Sequence, residues 1–222
     1  MTAAAVVSSL PALDEAERLW SEAIDYRCRR YGFLDINGND IKDEYIFHTR
    51  SIAATAAKIA AAAGLDAEKA HIVGLLHDYG KRQDEFRGGR FHGVDGYDAM
   101  NELGYSEVAR ICISHSFPVA DFDIKNYPKF SEADLLYAKK ILNNMVYDDY
   151  DYLIQFCDLL FEGLNMVGIN ARVRGIMSRY GLQFQNVAVL WKNGCRLKKY
   201  FDDKLGKDVY DFLGIKDEDT LA

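Results

Sequence analysis

The stretch from Ala67 to Lys81, AEKAHIVGLLHDYGK, places an imidazole beside a carboxylate at His77 and Asp78, and follows them with Tyr79, Gly80 and Lys81. Asp66 suits a helix N-cap, Glu68 suits the first turn and Gly80 suits a helix stop, so the pair is expected at the C-terminal end of a helix. Side chains of neighbouring helical residues diverge by about 100°, so the two cover different surface yet both reach one ion lying between their directions. Two more residues extend the pattern. Upstream, His48 is in line with Ile52, Thr55 and Ile59 on an alanine-rich helix; downstream, Asp158 stands in QFCDLLFEG among apolar neighbours. A buried carboxylate without a partner costs several kcal/mol, so Asp158 is expected to be paired or metal-bound. The order His, His-Asp, Asp is that of a metal site.

With these residues the chain resembles the HD superfamily of metal-dependent phosphohydrolases. The matching positions are His48 in FHTRSIAATAAKIA, His77 and Asp78 in GLLHDYGK, and Asp158 in QFCDLLFEG. His92 in FHGVDGY and His115 in ISHSFP correspond to the two further histidines of the dinuclear members. The resemblance covers roughly Asp43 to Leu164, and all six positions are filled. It implies an all-α helical bundle in which His48, His77, Asp78 and Asp158 hold one divalent metal, while Asp78 bridges to a second held by His92 and His115. Imidazole and carboxylate donors without cysteine suit iron or manganese, with zinc, cobalt and nickel as further options. The family often places a substrate-contacting lysine three residues after the Asp, which here is Lys81.

The implied reaction is hydrolysis of a phosphoester or phosphoanhydride, with a nucleotide as the expected small-molecule substrate. The HDYGK and HG motifs look like the bacterial branch that includes symmetrical diadenosine tetraphosphate hydrolases. QFCDLLFEG departs from that branch's usual Ala-Asp-Lys around the last ligand. Two other readings stay open: an HD-type diiron oxygenase that cleaves a carbon-carbon or carbon-phosphorus bond, whose lysine also contacts substrate, and a non-catalytic nucleotide-sensing module with a structural metal.

The elements that must position these residues are helical. A helix from Leu13 to about Arg30 carries Ala16, Leu19, Trp20 and Ala23 on one face; the His48 helix runs from about Ile41 to Ala63 and stops at Gly64. Its many alanines let neighbours approach closely, which places it centrally. A helix ending near Gly104 follows His92, and another from Ser106, read as an N-cap, ends by Phe117 before Pro118, with His115 on the buried face of Val108, Ile111 and Cys112. Residues 118 to 130 bridge to helices at about Ser131 to Asn144 and Asp148 to Gly163, the latter delivering Asp158 and opening on an acidic DDYD start. His71 is expected to be a core or surface histidine outside the site, about 10 Å along the helix from Asp78. No alternation signals a strand.

The connection KRQDEFRGGRF is polar and basic and reads first as a surface loop; the alternative is that Lys81, with Arg82, Arg87 or Arg90, brings positive charge to an anionic substrate, Gly88 and Gly89 allowing the segment to close, and of these only Lys81 is supported by the resemblance. Beyond Glu162 no acidic residue occurs until Asp202, while Arg172, Arg174, Arg179, Lys192, Arg196, Lys198 and Lys199 accumulate. This segment reads as two helices broken near Gly181 and a short helix at Val209 to Leu213, with the charges on solvated faces. The expected division is an N-terminal helix packing on the core over 1–41, an HD domain over 42–165 and a helical extension of the same globule over 166–222. A net charge of −7 and a pI near 5.3 argue against a nucleic-acid duplex as partner. The four cysteines show no Cys-x-x-Cys spacing, so a reducing cytoplasm is expected; the N-terminal apolar run is too short to span a membrane, and its first residues are expected to fray.

Overall fold

The computed structural model describes residues 9–34, 38–83, 89–127, 130–180 and 187–216, with side chains at 179 and 180 excepted. Arg87, Gly88 and Gly181, named above, and the chain start before Ser9 lie outside the described residues. Helix α1 spans Leu13–Arg30, with Asp14 and Glu15 in its first turn and Arg27, Arg29 and Arg30 in its last, each charge opposing the helix dipole. Its buried stripe is Ala16, Leu19, Trp20, Ala23, Ile24 and Arg27.

Helix α2, Lys42–Ala62, buries Ala53, Ala56 and Ala60 beside Ile52 and Ile59, and ends before Gly64, which takes a left-handed φ of 73°. Helix α3, Ala67–Leu76, is capped by Asp66, whose side chain accepts from the Lys69 amide at 3.0 Å. The two helices pack backbone to backbone. A Cβ on Gly74 of α3 would lie 3.0 Å from the Ala53 Cα, so the small residues on both sides set the spacing.

Helix α3 stops at Leu76, earlier than Gly80 led us to expect. His77 keeps helical angles, and Tyr79–Arg82 then tighten into a 3-10 turn. Gly80 is needed for a different reason: a Cβ there would lie 1.9 Å from the carbonyl oxygen of His92, the first residue of helix α4, His92–Glu102. Helix α5, Ser106–Ser114, has Tyr105 in the N-cap position, with Ser106 as its first helical residue.

Between α5 and helix α6, Glu132–Leu142, the connection is anchored by Phe122 and Tyr127, both buried against Phe117; the Phe117 and Phe122 rings stack at 4.1 Å. Helix α7, Asp149–Asp158, opens on the expected acidic run: Asp148 and Asp151 form a reciprocal capping box. Asp151 is fully buried, and it is paired with Arg110 and accepts from the Ser114 hydroxyl at 2.6 Å.

The expectation that α7 continues to Gly163 is corrected. It ends at Asp158, and Gly163, at φ 56°, turns a hairpin of two-residue strands, β1 Phe161–Glu162 and β2 Asn165–Met166. Strands this short leave no alternation to read. Helices α8, Ile169–Tyr180, α9, Val187–Leu205, and α10, Val209–Leu213, complete the described chain, which is all-α apart from that hairpin and one isolated bridge, Leu34 with Asp40.

One core cluster draws on α1, α2, α3, α4, α5, α7, α8, α9 and α10; a smaller one, rich in aromatics, collects Phe91, Phe117, Phe122, Tyr127 and Leu135. Among the described residues no helix is long and apolar enough to cross a membrane. The Gly80 contact yields a stability prediction. Gly80→Ala should force the 3-10 turn away from α4 and lower the unfolding free energy by about 1–3 kcal/mol, read from the denaturant midpoint. An unchanged midpoint would show that the turn yields freely.

Candidate metal centre

Five histidine and aspartate side chains converge where α2, α3, α4 and α5 meet. His77 sits just past α3 with its Nδ1 2.7 Å from the Gly74 carbonyl oxygen. A carbonyl only accepts, so Nδ1 carries the proton and Nε2 is left with a lone pair. His115, just past α5, is set the same way by the Ile111 carbonyl at 3.1 Å. The spacing of α2 and α3 brings the His48 ring to 5.5 Å from that of His77.

Asp78 lies at the centre, 1% exposed, with its backbone carbonyl accepting from the Tyr45 hydroxyl at 3.2 Å. Its two oxygens face opposite sides. Oδ2 is 3.4 Å from His77 Nε2 and 3.7 Å from His48 Nε2, whereas Oδ1 is 3.5 Å from both His92 Nε2 and His115 Nε2. Lys81 reaches back from the 3-10 turn to place Nζ 2.6 Å from Oδ2. Asp158, last residue of α7, has Oδ1 3.1 Å from His48 Nε2.

Electrostatics keep both carboxylates ionised and two of the rings neutral, as a cation site requires. Burial pushes Asp78 toward its neutral form, but the Lys81 ammonium and the adjacent imidazoles outweigh it and hold the carboxyl well below its usual range. Burial likewise raises Asp158, and its hydrogen bond with His48, with Arg172 behind, brings it down. Burial lowers His48 and His115, favouring neutral rings; for His77 the same burial is outweighed by the Asp78 charge, which raises it. Among the described residues, His77 Nε2 and Asp78 Oδ1 are buried with no hydrogen-bond partner.

Lone pairs aimed at a carboxylate repel it unless a cation lies between them, so the donor set fits divalent metal. Among the described residues two groups could hold an ion: His48, His77 and Asp78; and Asp78, His92 and His115, with Asp78 common to both. Asp158 reaches the first group through His48 and stands outside the tight cluster itself.

A family model described as HD domain matches residues 45–155, half of the chain. The chain belongs to the HD domain family. Searches of curated proteins and of solved structures gave no match. The matched span holds His48, His77, Asp78, His92 and His115; Asp158 follows just beyond its end. The family is one of metal-dependent phosphohydrolases, and the histidine-aspartate cluster is the feature through which an HD domain takes up metal.

Other sequence candidates are placed elsewhere in the HD domain. His71 stays on α3, partly buried and apart from the cluster. Arg82 lies over the Tyr79 ring and pairs with Asp95 at 3.0 Å, and Arg90 pairs with Asp98 and Asp134. Of the later cations, Arg172 pairs with Glu162, Lys198 with Asp202 and Asp208, and Lys199 with Asp203, so the chain's own carboxylates answer much of that positive charge.

Sequence reasoning missed Arg27 and Ser116. Arg27, 6% exposed, stacks on Phe33 at 4.7 Å and donates to the carbonyl oxygens of Lys81 at 2.5 Å and of Gln83 and Gly32 at 3.4 Å. The helix N-terminal to the matched span thereby holds the backbone of Lys81. A signal existed: Arg27 continues the Ala16, Trp20, Ala23 stripe at helical spacing. Ser116 brings its hydroxyl 3.0 Å from His115 Nε2 and 3.2 Å from His92 Nε2; nothing in ISHSFP announced it.

The shared carboxylate predicts unequal effects of ligand loss. Asp78→Ala should abolish binding of both ions, and His92→Ala should lower occupancy of one alone, as elemental analysis of the purified proteins would read. A wild-type protein carrying a single ion, unaffected by His92→Ala, would overturn the two-ion arrangement.

Proposed function

We propose that this HD domain hydrolyses a phosphoester or phosphoanhydride bond, with nucleotides as the substrate class. The observation that carries the proposal is the pair of three-donor groups joined through Asp78, with Lys81 Nζ held 2.6 Å from the shared carboxylate. His48, His77, Asp78 and Asp158 would hold one divalent ion, and Asp78, His92 and His115 the other, with iron or manganese best suited to nitrogen and oxygen donors. Two such ions, when bound, supply Lewis acidity toward a phosphoryl oxygen and a nucleophilic water at neutral pH.

The chain's own groups do the rest. The Nδ1 protons of His77 and His115 are committed to backbone carbonyls, so each ring is fixed in the tautomer that offers Nε2 inward. Asp78, kept ionised in a buried position, would supply negative charge to either ion. Lys81 is 32% exposed where Asp78 is 1% exposed, so its ammonium stands between the buried carboxylate and solvent, the side from which an anionic substrate arrives. There it neutralises charge that grows on phosphoryl oxygens in the transition state. The nucleotide class rests on the likeness of HDYGK and HG to the dinucleoside-polyphosphate branch.

The test is purified, metal-loaded protein assayed with p-nitrophenyl phosphate esters, nucleotides and dinucleoside polyphosphates. Released phosphate or nucleotide product supports the hydrolase. Substrate-dependent dioxygen consumption without phosphate release, or binding without turnover, would overturn it. On a verified substrate, Lys81→Ala should lower kcat/KM by roughly 30- to 1000-fold, about 2–4 kcal/mol, while both ions stay bound. Lys81→Arg should recover only part, because a planar guanidinium cannot take the place of a compact ammonium. Near-normal kcat/KM in fully loaded Lys81→Ala would remove Lys81 from the mechanism.

A further inference from the structure

Ser116 stands among the donors of the Asp78, His92 and His115 group, and neither the sequence motif nor the family match assigns it a role. Its hydroxyl oxygen is 3.0 Å from His115 Nε2 and 3.2 Å from His92 Nε2. Those two nitrogens are 3.3 Å apart, and each is 3.5 Å from Asp78 Oδ1. One hydroxyl proton cannot serve two nitrogens, and His115 Nε2 is an acceptor because its Nδ1 is committed to Ile111.

The spacings have a simple reading. Donor atoms held about 2.1 Å from one ion stand about 3.0 Å apart at right angles and about 3.4 Å apart at the tetrahedral angle. The five measured separations fall at or within about 0.1 Å of that range, as the edges of a single coordination shell.

We propose that Ser116 Oγ is a fourth protein donor to the ion held by Asp78, His92 and His115. This rests on the two-ion reading above and adds to it a neutral oxygen, giving that ion two nitrogens and two oxygens. The added oxygen donor shifts the preference at this position toward a harder divalent ion such as manganese.

The frame around Ser116 is stiff enough to aim a hydroxyl. Gln155 Nε2, from α7, donates to the carbonyl oxygens of both Ser114 and Phe117, at 3.1 and 3.2 Å, which brackets Ser116 on either side. The Tyr147 hydroxyl donates to the Phe117 carbonyl at 2.9 Å, and the Phe117 side chain is fully buried. Ser116 itself is only partly buried, so its replacement by alanine leaves the core untouched.

Manganese titration of the metal-stripped full chain, without substrate, tests the assignment. Wild type should bind two ions; Ser116→Ala should weaken one site by about 10- to 100-fold, the same site that His92→Ala weakens, and leave the other unchanged. Ser116→Thr, which keeps the hydroxyl, should retain both sites. A second variant reads coordination directly: Ser116→Cys loaded with cobalt(II) should show a thiolate-to-cobalt charge-transfer band that the wild type lacks. Ser116→Ala with two wild-type affinities, or Ser116→Cys without the band, overturns the Ser116 assignment and leaves the two-ion reading standing. One manganese per wild-type chain overturns both.

Discussion

The Asp78 carboxylate is charged, almost wholly removed from water and met on each oxygen by imidazole nitrogens. Burial of such a group is among the costliest acts a fold performs, and it is tolerable only where opposite charge or hydrogen bonds replace the lost water. Lys81 supplies part of that compensation and the geometry of four histidines invites the remainder from metal. Loading of the site and stability of the folded chain are coupled for this reason: ligands that are scattered when unfolded bind an ion as a set only when folded.

Close helix packing is what gives the imidazoles their separation. Gly74 on α3 meets Ala53 on α2 nearly backbone to backbone, and Gly80 meets the His92 carbonyl. Between them these two contacts fix α2 against α3, and the 3-10 turn against α4, which are the elements bearing His48, His77, Asp78 and His92. A larger side chain at either glycine would move ligands relative to one another before it touched any metal. Arg27 extends the same support outward, since its guanidinium donates to three carbonyls, those of Lys81 and Gln83 at the 3-10 turn and of Gly32 just past α1.

How much of this was legible in the sequence follows from how local each feature is. Helix bodies and most of their ends were readable, because caps such as Asp66, Ser131 and Asp148 and the stop at Gly64 act within a few residues. The convergence of His48 with the His77-Asp78 pair was readable because adjacent ligands and an alanine-rich helix form a compact pattern. Gly80 was misread: a helix-stopping glycine and a glycine that admits the carbonyl of a neighbouring helix look identical in sequence. The end of α7 at Asp158 was likewise hidden, since QFCDLLFEG is as apolar as a continuing helix and the hairpin beyond it is too brief to show a period. Arg27 and Ser116 act across 54 and 24 residues respectively, on Lys81 and His92, and no local pattern encodes such a partner.

Together with the Arg82–Asp95 pair, the contact between Gly80 and His92 ties the two ends of the intervening segment to each other through the body of the protein, whatever lies between Gln83 and Gly89. Lengthening a segment whose ends are already joined adds little closure entropy, and each doubling of length costs only about 0.6 kcal/mol. A change in the length of that segment should therefore leave His77 and Asp78 on one side and His92 on the other in register.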